Sequence, residues 1–166
     1  MTKHLLTITA MAALALTLCQ CDKIRLPGAK PAANYATTVA LTLTPAALAK
    51  LTAVKDQVAI EATYYAYPNH DNTAKADNLG QISLGDDKLS VDPTAKTVPM
   101  PGTGLDTKSL PETSGDPVVL FSAYSITIDG AQDELLECSN ARGAISKFQA
   151  GPAQITCDVA PPSPAS

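Results

Sequence analysis

Val58-Ala59-Ile60-Glu61-Ala62-Thr63-Tyr64-Tyr65-Ala66-Tyr67 alternates with a period of two. Val58, Ile60, Ala62 and Tyr64 fall on one side, and Glu61, Thr63, Tyr65 and Tyr67 on the other. Successive side chains of a strand point to opposite faces, so this pattern predicts a half-buried strand and not a helix. Upstream, Val39, Leu41 and Leu43 alternate with Thr38, Thr42 and Thr44 in the same way. Thr44 is then placed to cap a short helical turn, with Pro45 at its first position and Ala47, Leu48 and Leu51 inward. Downstream, residues 68–78 form a polar loop. Segments 81–84 and 88–91 flank Gly85-Asp86-Asp87, the composition of a hairpin turn. Residues 97–100 add a short strand. The strongest strand is 118–128, with Val119, Phe121 and Ala123 on one face, Val118 and Leu120 on the other, and Asp129-Gly130 closing it. Residues 131–138 fit either a helical turn or a strand, and 154–159 make the last strand. About seven short strands separated by regular turn signals predict an all-β domain, an antiparallel β-sandwich or barrel with one or two short helical turns and one disulfide.

The N-terminus has a different grammar. Lys3 and His4 precede an apolar run, residues 5–18, which ends at Cys19-Gln20-Cys21-Asp22. A positive head and a short apolar run describe a signal peptide, here residues 1–20. The run is too short to span a bilayer comfortably, which takes roughly twenty residues. Cysteine at the end of such a run suggests a lipoprotein processing site. Leu16 stands three before Cys19, and Leu18 three before Cys21, so that spacing does not decide between them. Parity favours Cys21, because Cys19 would leave with the signal and Cys138 and Cys157 would remain as an even pair. Cys19 is the alternative. Asp22 directly after Cys21 matches the enterobacterial rule for retention in the inner membrane; the outer membrane is the other destination. Ordinary cleavage to a soluble periplasmic or secreted protein is the competing reading.

These assignments divide the chain into a signal peptide (1–20), a lipid site and tether (21–36), a β-sandwich domain (37–160) and a tail (161–166). Pro27, Gly28 and Pro31 break regular structure in the tether, while Lys23, Arg25 and Lys30 are a solvated cluster beside it. A net charge of −4 with scattered basic residues argues against nucleic acid as a partner. Trp is absent, which weighs against a carbohydrate platform.

Candidate chemistry is sparse. His70 is the sole histidine once the signal is removed, and no Gly-x-Ser-x-Gly elbow accompanies it. Acidic stretches 71–77 and 129–134 lack the alternation of a calcium loop. Cys138 and Cys157 are too far apart in sequence for a redox Cys-x-x-Cys, which leaves a structural disulfide worth about 3 kcal/mol. Tyr65, Tyr67 and His70 form the candidate contact surface, with Tyr64 in the same aromatic cluster. No catalytic residue, metal or cofactor is assigned.

Four stretches carry a resemblance: Val39-Ala-Leu-Thr-Leu-Thr-Pro-Ala-Ala-Leu-Ala-Lys-Leu51, Gln81-Ile-Ser-Leu-Gly85, Val119-Leu-Phe-Ser-Ala-Tyr124 and Asp133-Glu-Leu-Leu-Glu-Cys138. The chain resembles small exported proteobacterial proteins of unassigned function. That resemblance implies no activity and carries over no catalytic residue. The expected function is a lipid-anchored binding or structural component of the cell envelope, facing the periplasm, held to the membrane through its N-terminal lipid and to a protein partner. The alternative is an inhibitor or immunity-type protein that blocks an enzyme through a loop; a hydrolase ranks third.

Overall fold

The computed structural model describes residues 35–161. Eight strands form two four-stranded sheets, with two short helices between strands. The first sheet has the order β4-β1-β8-β6, from β4 (Thr97–Met100), β1 (Thr37–Leu43), β8 (Ala153–Val159) and β6 (Leu136–Cys138). The second has the order β3-β2-β5-β7, from β3 (Ile82–Val91), β2 (Gln57–Pro68), β5 (Thr113–Ile126) and β7 (Ala141–Ala144). Both contribute to one core. Val39, Leu41 and Ile155 come from the first sheet, and Ile60, Tyr64, Val119 and Phe121 from the second. The architecture is sandwich-like, and its sheets do not join into a closed barrel.

Strand alternation sets the core as the period of two predicts. Val58, Ile60, Ala62, Tyr64 and Ala66 are all fully buried along β2, which sends Tyr65 and Tyr67 to the opposite face. Helix α1 (Pro45–Val54) starts where predicted: Thr44 Oγ1 accepts from the Ala47 N–H at 3.2 Å, and Ala47 and Leu51 are buried. Lys55, in the left-handed region at φ 64°, ends it, a common helix stop. Helix α2 (Ile145–Ala150) packs the Phe148 ring edge-on against Phe121, with centroids 5.3 Å apart.

Three expectations are corrected. Gly85-Asp86-Asp87 is not a hairpin turn. It lies inside the continuous β3, where Gly85 adopts φ 95° and the pairing with β2 slips between Thr63 and Tyr65. Glycine here supplies a bulge, which needs the same positive φ as a turn. The pairing is not wholly antiparallel, because β1 and β8 run parallel from Val39↔Ala153 to Leu43↔Cys157. Parallel neighbours need a long crossover, and nearly the whole domain intervenes between these two. Among the described residues the strands number eight: two predicted strands merge into β3, β6 takes the strand alternative for the end of 131–138, and β7 is added. The polar loop after β2 holds a 3₁₀ turn, His70–Lys75.

The disulfide joins Cys138 and Cys157, which face each other across the β6–β8 pair with Cα atoms 4.0 Å apart. It ties the last strand to the segment that leads into β7.

Candidate functional site

On the side of the second sheet away from the core, Arg142 of β7 lies in register with Leu120 of β5, Thr63 of β2 and Asp86 of β3. Its side chain leans across Leu120 towards the tyrosines of β2. The Nε–H donates to the Tyr65 hydroxyl, and Nη2 donates to the Tyr67 hydroxyl at 3.3 Å. The guanidinium carbon stands 5.2 Å from the Tyr65 ring centre, a cation–π contact, and the Tyr65 and Tyr67 rings meet edge-on at 6.3 Å. Tyr67 is 46% exposed, whereas Tyr65 is only 7% exposed. Tyr65 therefore serves as the floor on which Arg142 rests, and Tyr67 and Arg142 meet solvent.

Beside Tyr65 and Leu120, a hollow of about 300 Å³ opens between the sheet and the loop carrying Asp77, Leu79 and Gln81. Asp77 Oδ1 accepts the N–H groups of Leu79 and Gln81 at 2.8 and 2.9 Å, which holds the loop over the sheet and leaves Leu79 71% exposed. Further along the same face, the Tyr124 hydroxyl donates to Glu61 at 3.1 Å and Lys88 Nζ lies 5.1 Å from the Tyr124 ring centre. The Tyr124 hydroxyl, followed by its charge, holds the Lys88 ammonium above its ordinary pKa.

His70 stands apart. It opens the 3₁₀ turn, fully exposed, with Nδ1 3.3 Å from Asp71 Oδ1. No hydrogen bond or ring contact links it to Tyr65 or Tyr67 among the described residues. A His–Asp pair in open water orients nothing for acid–base work. The structure therefore brings together two of the three predicted contact residues and adds Arg142. Sequence reasoning missed Arg142 because Gly143 hides the two-residue period of β7. The usable signal was that it is the one arginine downstream of Arg25. Cys21 and its alternative Cys19, most of the tether, and residues 162–166 lie outside the described residues.

Other polar clusters have structural roles. Asp87 turns inward, where it accepts from the Tyr64 hydroxyl at 2.9 Å and the Gly104 N–H at 2.9 Å. Burial, then the Asp87 hydrogen bond and charge, push the Tyr64 hydroxyl well above its usual pKa. Asp56 is 9% exposed, and burial first, then Asp133 and Asp129, raise its carboxyl. Asp133 is itself held by the buried Ser125 hydroxyl. Among the described residues no three His, Cys, Asp or Glu side chains are grouped to hold a metal ion. A hollow of about 610 Å³ beside Thr37, Met100 and Phe148 has no titratable group among its described lining residues.

Fold and site together define a disulfide-bonded, two-sheet β domain whose outer face carries an arginine seated on tyrosines. No family model, no curated protein and no solved structure matches the chain, so its function is argued from this geometry.

Proposed function

We propose that the protein is an exported lipoprotein, anchored through Cys21, whose β domain binds a protein partner in the bacterial cell envelope. The observation that carries the binding part is the outer face of the β3-β2-β5-β7 sheet. There Tyr67 and Arg142 are exposed on strands, and Leu79 is exposed on the loop that Asp77 holds over the same sheet. Tyrosine and arginine are the side chains that interfaces favour, because each offers large contact area with little rotamer entropy when preorganised. Support for the anchor comes from the residue order of the N-terminus, Leu18-Cys19-Gln20-Cys21-Asp22 after an apolar run. The resemblance to small exported proteobacterial proteins agrees with that address.

A photo-crosslinking residue in place of Tyr67 or Leu79, introduced into the full chain in its native envelope, tests the binding face. Adducts to one partner are expected there and not from Thr42 or Gln154 on the other sheet. Equal labelling from both sheets would remove the face from the argument. Mass spectrometry of the mature N-terminus tests the anchor; an acyl adduct on Cys21 is expected, and an unmodified N-terminus past Asp22 would end that part of the reading.

The inhibitor reading keeps one specific support. Asn69 Oδ1 accepts from the Asn72 side chain at 2.8 Å and from the Asp71 N–H at 3.2 Å, Asn69 Nδ2 donates to the Pro111 carbonyl at 3.0 Å, and Lys75 pairs with Glu112 at 2.5 Å. The loop that presents His70 is thus preorganised, as a blocking loop must be.

A further inference from the structure

We infer that Arg142, Tyr65 and Tyr67 form an anion site, and that it takes the carboxylate of an acidic side chain on the protein partner. This deepens the binding reading and rests on it. The argument is one of donors. A guanidinium has five N–H donors, of which one goes to Tyr65 and one to Tyr67. Three remain. Each tyrosine hydroxyl accepts from Arg142, and the proton of the exposed Tyr67 hydroxyl is left to donate outward. The three remaining guanidinium N–H groups and the Tyr67 hydroxyl proton are therefore left to donate to an outside acceptor, and none of the three side chains is itself a carboxylate.

The charge is also unpaired. Ion pairs among the described residues are His70–Asp71 and Lys75–Glu112, neither involving Arg142. Asp86, the acidic residue in its own cross-strand row, stands three strands away, roughly 14 Å at the usual strand spacing. Asp116 receives the Ser146 hydroxyl at 2.7 Å. A positive group held in one orientation by two hydrogen bonds and a ring is preorganised for a planar, two-oxygen acceptor, which is the shape of a carboxylate. Arg142 and Tyr67 are exposed and not enclosed, which suits a macromolecular partner more than a small molecule. Cys138 also contributes: it anchors the chain four residues before Arg142, and so fixes where β7 begins.

The test uses the isotope-labelled full chain in zwitterionic detergent and follows the arginine Nε–H signals. Only Arg25 and Arg142 are present, so Arg25 is an internal control. A hexaglutamate peptide should move the Arg142 signal saturably and leave Arg25 in place; hexaglutamine should move neither. Arg142→Gln should weaken hexaglutamate binding about tenfold or more, the loss of one charge-assisted pair. Arg142→Lys and Tyr67→Phe, which disturb the fold less, should each weaken it several-fold. No response at Arg142, or an equal response at Arg25, would overturn the site. A stronger response to inorganic phosphate, or to vesicles containing phosphatidylglycerol, would overturn its assignment to a carboxylate partner. Undiminished crosslinking of the Arg142→Gln chain from Leu79 would overturn the role of Arg142 while leaving the binding face intact.

Discussion

Asp87 shows how a single acceptor fastens a loop to a sheet. One oxygen takes the Tyr64 hydroxyl at 2.9 Å, and the other takes the Gly104 N–H and, at 3.3 Å, the Thr103 hydroxyl. Tyr64→Phe keeps the ring and removes one bond to a carboxylate, so stability should fall by about 2 kcal/mol in urea unfolding. Gly104 is there for space: a Cβ would lie 1.8 Å from the Asp86 carbonyl oxygen, backbone that cannot move aside cheaply. Gly104→Ala should therefore cost about 3 kcal/mol, the upper end for overpacking, and separate the 101–106 loop from β3. A Gly104→Ala chain as stable as the parent would show that the loop is not docked as described. Asp56 behaves in the opposite sense. Its folded pKa lies above the ordinary aspartate value of 3.8, chiefly through burial, so its contribution is full below that value and is lost as pH rises through the folded pKa. Asp56→Asn, neutral at every pH, should match the parent below pH 3.8 and exceed it in stability at pH 7, as read from urea midpoints across that range. At this scale the sequence made Tyr65 and Tyr67 visible through strand alternation. Arg142 stayed hidden because its meaning comes from residues 77 and 75 positions away.

Local chemistry decided which elements could be read. Helix α1 was legible because its start is written in adjacent residues, Thr44 as cap and Pro45 after it. Gly85-Asp86-Asp87 misled because a bulge and a turn ask the same residue types for the same positive φ, and only the strands on either side distinguish them. β7 and α2 were missed because four and six residues are too few to show a period. The capped start of α1 also carries a testable coupling. Thr44 accepts from the Ala47 N–H and donates to Asp158 Oδ1 at 2.7 Å, which links the helix to β8. That hydroxyl is the main reason the Asp158 carboxyl is held below its ordinary range. Thr44→Ala should destabilise the domain by about 1 kcal/mol at pH 7 through the lost cap. A depressed carboxyl stabilises above its unfolded value of 3.8 and stops doing so as pH falls through the folded value, so the Asp158 share of this difference should vanish in acid. Urea midpoints of both proteins at pH 7 and pH 3 check it; a gap that widens in acid would contradict the coupling.

For the whole molecule, alternation predicted how many faces must be buried but not which strands pair. Pairing is a matter of distant residues: β1 lies between β4 and β8, the latter over a hundred residues on and parallel to it. The ends of the domain are thereby made neighbours, and the disulfide sits on this seam. Cys157 is in β8, which pairs with β1 on one side and β6 on the other, while Cys138 ends β6 just before the chain crosses to β7 of the second sheet. One covalent bond therefore bears on both sheets. With its cysteines 19 positions apart in sequence, it should contribute about 3 kcal/mol by limiting the unfolded chain. Reduction should lower the unfolding free energy by that amount while the buried faces of β2 and β5 keep the remaining sheet folded. The replacement of both Cys138 and Cys157 by Ala should reproduce the loss. The seam makes a second demand on the same sample, since β7 pairs only with β5 and is short. Once Cys138 is released, β7 should loosen ahead of global unfolding, seen as faster amide exchange at 141–144 and a shifted Arg142 Nε–H signal with β2 amides still protected. Uniform exchange across β2, β5 and β7 after reduction would mean that the bond acts on the unfolded chain alone and does not position Arg142.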